Sequence, residues 1–166
     1  DFSFQVEKRL DWAYPVRIFD CERVIERKGK DFERLRRRYN HVTTNHTIDC
    51  VPLDEFRHKH QSEWVDTLFK SPILEQKVKS MDSDYYYKLF ELIEHYPDFY
   101  DGLVFFDRDQ CVGLSIWEAP INTESVSLVN ICNLNYQYLS IFQVVQSCIK
   151  AKENGIGFLN FGGSET

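Results

Sequence analysis

The chain has 166 residues, of which 43% are hydrophobic, 15% aromatic and 28% charged, and its formal net charge is −6. That much apolar and aromatic surface excludes a disordered chain and is enough for one buried core, so a single domain over residues 1–166 is expected. The acidic balance excludes general affinity for polyanions, and no run of about 18 apolar residues is present to cross a bilayer as a helix.

Trp12 to Phe19 is mostly apolar or aromatic and Val24-Ile25 follows after Asp20-Cys21, which predicts one or two strands before Gly29. Between Arg23 and Arg38 the chain then carries eight basic residues against three acidic ones, the reverse of its overall sign. Within Lys30 to Val42, Phe32, Leu35, Tyr39 and Val42 recur at helical spacing, while Arg34, Arg37, Arg38 and His41 form the neighbouring stripe. Thr47 to Leu53 predicts a short strand. Asp54 is placed to cap a helix running to Phe69 with Phe56, Trp64, Val65 and Leu68 inward. A further helix from Asp82 to His95 is expected to bury Tyr85, Leu89, Leu92, Ile93 and Tyr96, with Pro97 closing it.

From residue 101 onward the pattern changes to that of an α/β core. Gly102–Phe106 and Gln110–Trp117 flank the polar turn Asp107-Arg-Asp109 and predict a hairpin, and Val126–Cys132 a third strand. Tyr136 to Glu153 reads as a long amphipathic helix stopped at Asn154-Gly155, and Ile156–Phe161 as a central strand. Strand, helix and strand of this length form a crossover, so the last two strands should be parallel.

Several groups could carry chemistry. The terminal Asn160-Phe-Gly-Gly-Ser-Glu165 places a carboxamide, two glycine N–H groups, the Ser164 hydroxyl and the Glu165 carboxylate at the C-terminal end of a strand, where ligands of open α/β sheets sit. Its plain alternative is a tight turn leaving the sheet. Lys30, Arg34, Arg37 and Arg38 could hold phosphates through guanidinium forks, or be a solvated face stitched by Glu33 to Arg37. Glu118, at the end of the second hairpin strand, is a second candidate base. His58-Lys-His60 has no ligand spacing and reads as surface, and none of the five cysteines sits at a zinc spacing, so neither metal nor cofactor is expected. The odd cysteine count fits a reducing, cytoplasmic setting. Before the long helix stands Asn133-Leu-Asn-Tyr-Gln137, without the glycine turn that cradles a pyrophosphate in acyl-CoA transferases of the GNAT fold.

The arginine-rich helix opened by Gly29-Lys30, the strand Val112 to Glu118 and the closing Asn160-Phe-Gly-Gly-Ser-Glu165 together resemble the C-terminal domain of phosphatidylglycerol lysyltransferases. The resemblance covers most of the chain. It implies a GNAT-like fold, duplicated in that family and shared with the Fem aminoacyltransferases, and transfer of an amino acid from aminoacyl-tRNA to a lipid, peptide or small-molecule acceptor. On that reading Glu165 or Glu118 takes the acceptor's proton, Gly162-Gly163 with Asn160 and Ser164 surround the reacting carbonyl, and Lys30, Arg34, Arg37 and Arg38 hold the donor's phosphates. The family pattern also runs past this glycine turn, so the chain is expected to continue beyond Thr166. An acyl-CoA-dependent N-acyltransferase and a non-catalytic binding module of the same fold are the alternatives.

Overall fold

The computed structural model describes residues 16–71, 74–76, 79 and 83–163, a mixed α/β fold in which a six-stranded sheet is flanked by helices. Chain order is β1 (Val16–Asp20), α1 (Cys21–Glu26), α2 (Glu33–Asn45), β2 (Ile48–Pro52), α3 (Leu53–His60), α4 (Trp64–Phe69), α5 (Ser83–His95), β3 (Tyr100–Asp107), β4 (Gln110–Glu118), β5 (Glu124–Cys132), α6 (Leu139–Glu153) and β6 (Phe158–Gly163). Spatial order across the sheet is β1-β6-β5-β4-β3-β2. Every neighbouring pair is antiparallel except β5 and β6, which the α6 crossover makes parallel as expected.

Each face of the sheet carries its own core. On one, Leu53 and Phe56 of α3, Trp64 and Leu68 of α4, and Leu89 and Ile93 of α5 cover Val104, Leu114 and Ile116. On the other, Cys21 of α1, Val42 of α2, and Phe142, Val145 and Cys148 of α6 cover Phe105, Val112 and Leu159. Each fully buried aliphatic or aromatic side chain contributes about 1.5–3 kcal/mol by leaving water.

Several local expectations change. Val24-Ile25 is not strand: the Asp20 carboxylate accepts the Arg23 N–H at 3.1 Å and starts helix α1, whose Cys21 and Val24 are buried. The segment Trp12 to Pro15 lies outside the described residues. The single helix expected from Asp54 to Phe69 is two, broken where Gln61 adopts φ 50° and ψ −131°, and Asp54 sits in the first turn rather than capping it. In α5 the buried stripe is Tyr86, Leu89, Phe90 and Ile93, whereas Tyr85, Leu92 and Tyr96 are exposed. That rotation sets the Phe90 ring 5.4 Å from Trp64 and 5.6 Å from Phe69, both in edge-on contact. Helix α6 begins three residues later than expected, after Tyr138 in a left-handed conformation (φ 67°).

Candidate functional site

Strands β5 and β6 pair only from Glu124↔Phe158 to Val126↔Asn160, although both run on for at least three more residues. The cause is a bulge in each. Ile116 pairs with Val129 and Trp117 with Ser127, leaving Leu128 as the extra residue on β5. Val16 pairs with Gly163 and Ile18 with Asn160, leaving an extra residue on β6 beside Gly162, which holds φ 66°. Continuing the parallel register would set Leu128 opposite Gly162, so the strands part where both are bent. The Tyr85 hydroxyl donates to the bulged Leu128 carbonyl at 3.3 Å.

Asn160 stands at the root of this parting. Its Nδ2 donates to Glu124 Oε1 at 3.1 Å and its Oδ1 accepts the Gly162 N–H at 2.9 Å. The carboxamide therefore fixes the left-handed glycine and ties β6 to the first residue of β5. The two glycines lie inside β6, not beyond its end, so the polar segment is strand-borne through Gly163. Ser164 and Glu165 lie outside the described residues.

The arginine helix meets the opposite wall of the crossover. Arg38 lies with its guanidinium carbon 5.0 Å from the centre of the Tyr138 ring, and the His41 ring packs edge-on to the same tyrosine at 5.4 Å. Tyr138 is the residue from which α6 departs, and the Leu139, Ile141 and Phe142 N–H groups are taken by the Tyr136 and Tyr138 carbonyls. Without a glycine turn the backbone there has few donors left for an anion. Side chains of α2 supply them: Arg37 borders one shallow cavity of about 270 Å³ with Lys30 and Arg34, and another of about 400 Å³ with His41, Gln137 and Tyr138. Arg36 is engaged differently, donating to the Gly29 carbonyl at 2.8 Å and also to that of Arg27, which holds the α1–α2 connection.

Of the residues singled out in the sequence, Asn160, Gly162 and Gly163 are brought together, as are Lys30, Arg34 and Arg37, with Arg38 pinned on Tyr138. Glu118 is apart from the arginines but near Asn160: Trp117 pairs with Ser127 and Val126 with Asn160, which sets the end of β4 two strands, roughly 10 Å, from Asn160. Ser125, at the start of β5, donates its hydroxyl to the Glu118 carbonyl. From there to Cys132, where the chain turns toward α6, the strand rises roughly 23 Å. Glu118 also lines a groove of about 540 Å³ with Tyr96, Phe99, Tyr100, Pro120 and Ile121. Glu124, Tyr138 and the bulge at Leu128 were not foreseen. A glutamine-tyrosine pair at the entry to a helix was the one visible sign of the second.

No family model matches the sequence, and no curated protein does. Among solved structures the chain is similar to a conserved protein of unknown function from Bacteroides thetaiotaomicron, with a TM-score of 0.68 and 14% identity over 92% of this chain. It is also similar to the C-terminal domain (DUF2156) of a candidate lysylphosphatidylglycerol synthetase from Agrobacterium fabrum, with a TM-score of 0.55 and 14% identity over 93% of this chain. The chain spans about half the length of each, 51% and 48%. Among the described residues no helix is long and apolar enough to cross a membrane. The arginine helix and the closing glycine motif thus belong to a chain that shares its mixed α/β fold with the C-terminal domain of a candidate lysylphosphatidylglycerol synthetase.

Proposed function

We propose that this chain is an acyl-transfer domain that moves an aminoacyl group from an activated, phosphate-bearing donor such as aminoacyl-tRNA to an amine or hydroxyl acceptor. The observation that carries the reading is the seating of the α2 stripe on Tyr138: Arg37 and His41 border the cavity beside the start of α6, the helix that links β5 to β6. Cations there suit the phosphates of a donor whose ester reaches toward the parting. The fold shared with a candidate synthetase domain supports the same class of chemistry.

In the transfer, the acceptor nitrogen or oxygen attacks the ester carbonyl, its bond to carbon forms as the ester C–O bond breaks, and the released hydroxyl of the donor takes up a proton. Glu165, two residues past Gly163 in sequence, is the proposed base for the acceptor's proton, and Gly162-Gly163 line the oxyanion side with Asn160 orienting them. Ser164 lies between them in sequence and is proposed to contribute its hydroxyl. Because the ester is already activated, positioning supplies much of the rate.

The test is transfer of labelled amino acid from a total aminoacyl-tRNA pool to amine and hydroxyl acceptors by the wild type, Arg37→Ala and Glu165→Gln. Loss in both variants is expected, and undiminished transfer in both would overturn the reading. One observation favours a second donor: a parting between parallel strands in front of a helix N-terminus also admits the arm of an acyl thioester. Thermal stabilisation by acyl-CoA, with none from aminoacyl-tRNA, would move the assignment to an acyl-CoA-dependent N-acyltransferase.

A further inference from the structure

The groove around Glu118 lies at the end of the sheet away from the arginine helix, and the proposed transfer makes no use of it. Its walls are the Tyr96, Phe99 and Tyr100 rings with Pro120 and Ile121, and Glu118 is the one charged residue among those lining it. Tyr96, Phe99 and Ile121 are 57%, 62% and 73% exposed, an unusual concentration of large apolar side chains facing water. The rings of Tyr96 and Phe99 stand 6.3 Å apart and 83° to one another, so two walls meet at nearly a right angle. The Ala119 N–H donates to the Phe99 carbonyl at 2.7 Å, which fastens the end of β4 beneath these rings and sets the preceding residue, Glu118, in the groove.

The geometry points to a binding site for a quaternary ammonium group of the choline type in this groove. The occupant follows from what the walls offer. An uncharged apolar ligand would cover the Glu118 carboxylate without compensating its charge, and an anion would be repelled by it. A cation is attracted both by the carboxylate and by the negative faces of the aromatic rings. A primary ammonium brings three N–H donors that each need an acceptor, whereas these walls are nearly all carbon; a trimethylammonium group has no donor to satisfy. At about 540 Å³ the groove also has room for the chain that carries the headgroup.

The test is an NMR titration of the whole chain with choline and with 3,3-dimethylbutan-1-ol, its uncharged isostere. Choline is expected to shift the signals of Tyr96, Phe99 and Ile121 saturably, with the isostere and ethanolamine each about ten-fold weaker. Glu118→Gln, which keeps the shape, and Phe99→Ala should each weaken choline by about ten-fold while the thermal midpoint of Glu118→Gln stays unchanged. Equal binding of choline and the isostere, shifts centred elsewhere, or a Glu118→Gln variant that binds choline like the wild type would overturn the site. A short-chain phosphatidylcholine separates the two sources of the group: tighter binding than choline assigns the groove to a lipid headgroup, equal or weaker binding to the free small molecule. Neither result bears on aminoacyl transfer, which is read with a separate donor and acceptor.

Discussion

Gln146 of α6 donates a side-chain hydrogen bond to the Tyr39 hydroxyl of α2 at 2.9 Å, joining residues 107 positions apart. Beside it the Tyr39 ring stacks on Phe142 with centroids 5.5 Å apart, while the Arg27 guanidinium lies over its other side at 4.3 Å. This seam is what keeps the basic helix against the start of the crossover helix. Tyr39→Phe preserves the stack and removes only the hydrogen bond. It should cost about 1 kcal/mol in urea unfolding, and a variant as stable as the wild type would show that packing alone holds the seam.

Neighbouring arginines of α2 should separate cleanly. Arg36 bonds two backbone carbonyls and Arg37 faces solvent, so Arg36→Ala is expected to lose about 1–3 kcal/mol of stability. Arg37→Ala should stay within about 0.5 kcal/mol of the wild type yet bind phosphate-bearing ligands more weakly and with a shallower salt dependence. Paired denaturation and binding curves for the two variants check this.

Much of the C-terminal half was legible because its signals are local. Alternation marks the hairpin, Asn154-Gly155 stops α6, and an apolar run makes β6 a central strand. What escaped depends on partners. The six residues of α1 are too few for a helical period to show, although Asp20 ahead of them is an ordinary cap. At Gln61 no proline or glycine announces the break between α3 and α4. In α5 two stripes were compatible with the sequence, and the choice was made by Trp64 and Phe69 on another helix. The site divides the same way: Asn160 with its glycines and the arginine stripe are contiguous motifs, but the parting between β5 and β6 arises from registers across four strands. Strand order leaves Glu118 near the glycine motif, at the end of β4 two strands from Asn160 of β6.

Two strand glycines should respond differently to a methyl group. A Cβ on Gly102 would lie 2.4 Å from the Ser115 carbonyl oxygen, part of the adjoining backbone. On Gly113 it would lie 2.1 Å from Gln143 Nε2, the end of a buried side chain that donates to the Ile131 carbonyl at 2.9 Å. Gly102→Ala should therefore cost about 3 kcal/mol or more and Gly113→Ala about 1–3 kcal/mol. Combining Gly113→Ala with Gln143→Ala should cost less than the two added separately, since the obstructing amide is gone; additive losses in a double-mutant cycle would refute the clash.

Burial raises the carboxyl of Asp101 above its ordinary value of 3.8, against the opposing hydrogen bonds from the Gly102 N–H and Asn154. A raised folded value means that, as pH climbs from below 3.8, the unfolded chain releases this proton first and the native state holds more protons. Stability contributed here is then lost between the unfolded and folded values and is flat above them. Asp101→Asn has no such loss. The stability of the wild type relative to this variant should fall as pH rises through the acid range, and a difference that is constant or rises in urea titrations would contradict it.

Cys50 is only partly buried, yet burial together with the Asp49 carboxylate pushes its thiol up to about 12 from 9.0. Its thiolate fraction at pH 8 should be about a thousand-fold below that of the unfolded chain. Site-resolved alkylation should find Cys50 slow in the native protein and fast in urea. Native labelling at the unfolded rate would show the thiol to be in water.

The gap between β5 and β6 is held open by counting. One extra residue at Leu128 and one beside Gly162 throw both strands out of step just past Val126 and Asn160, their last paired residues. Point replacements along the gap should therefore retune what fits there without shutting it. Loss of a single residue is another matter: deleting Leu128 would bring β5 back into step with β4 and let it zip further along β6. The mutations to fear in this protein are in-frame deletions of one codon, and a library meant to change its specificity can substitute freely there while keeping the length of both strands.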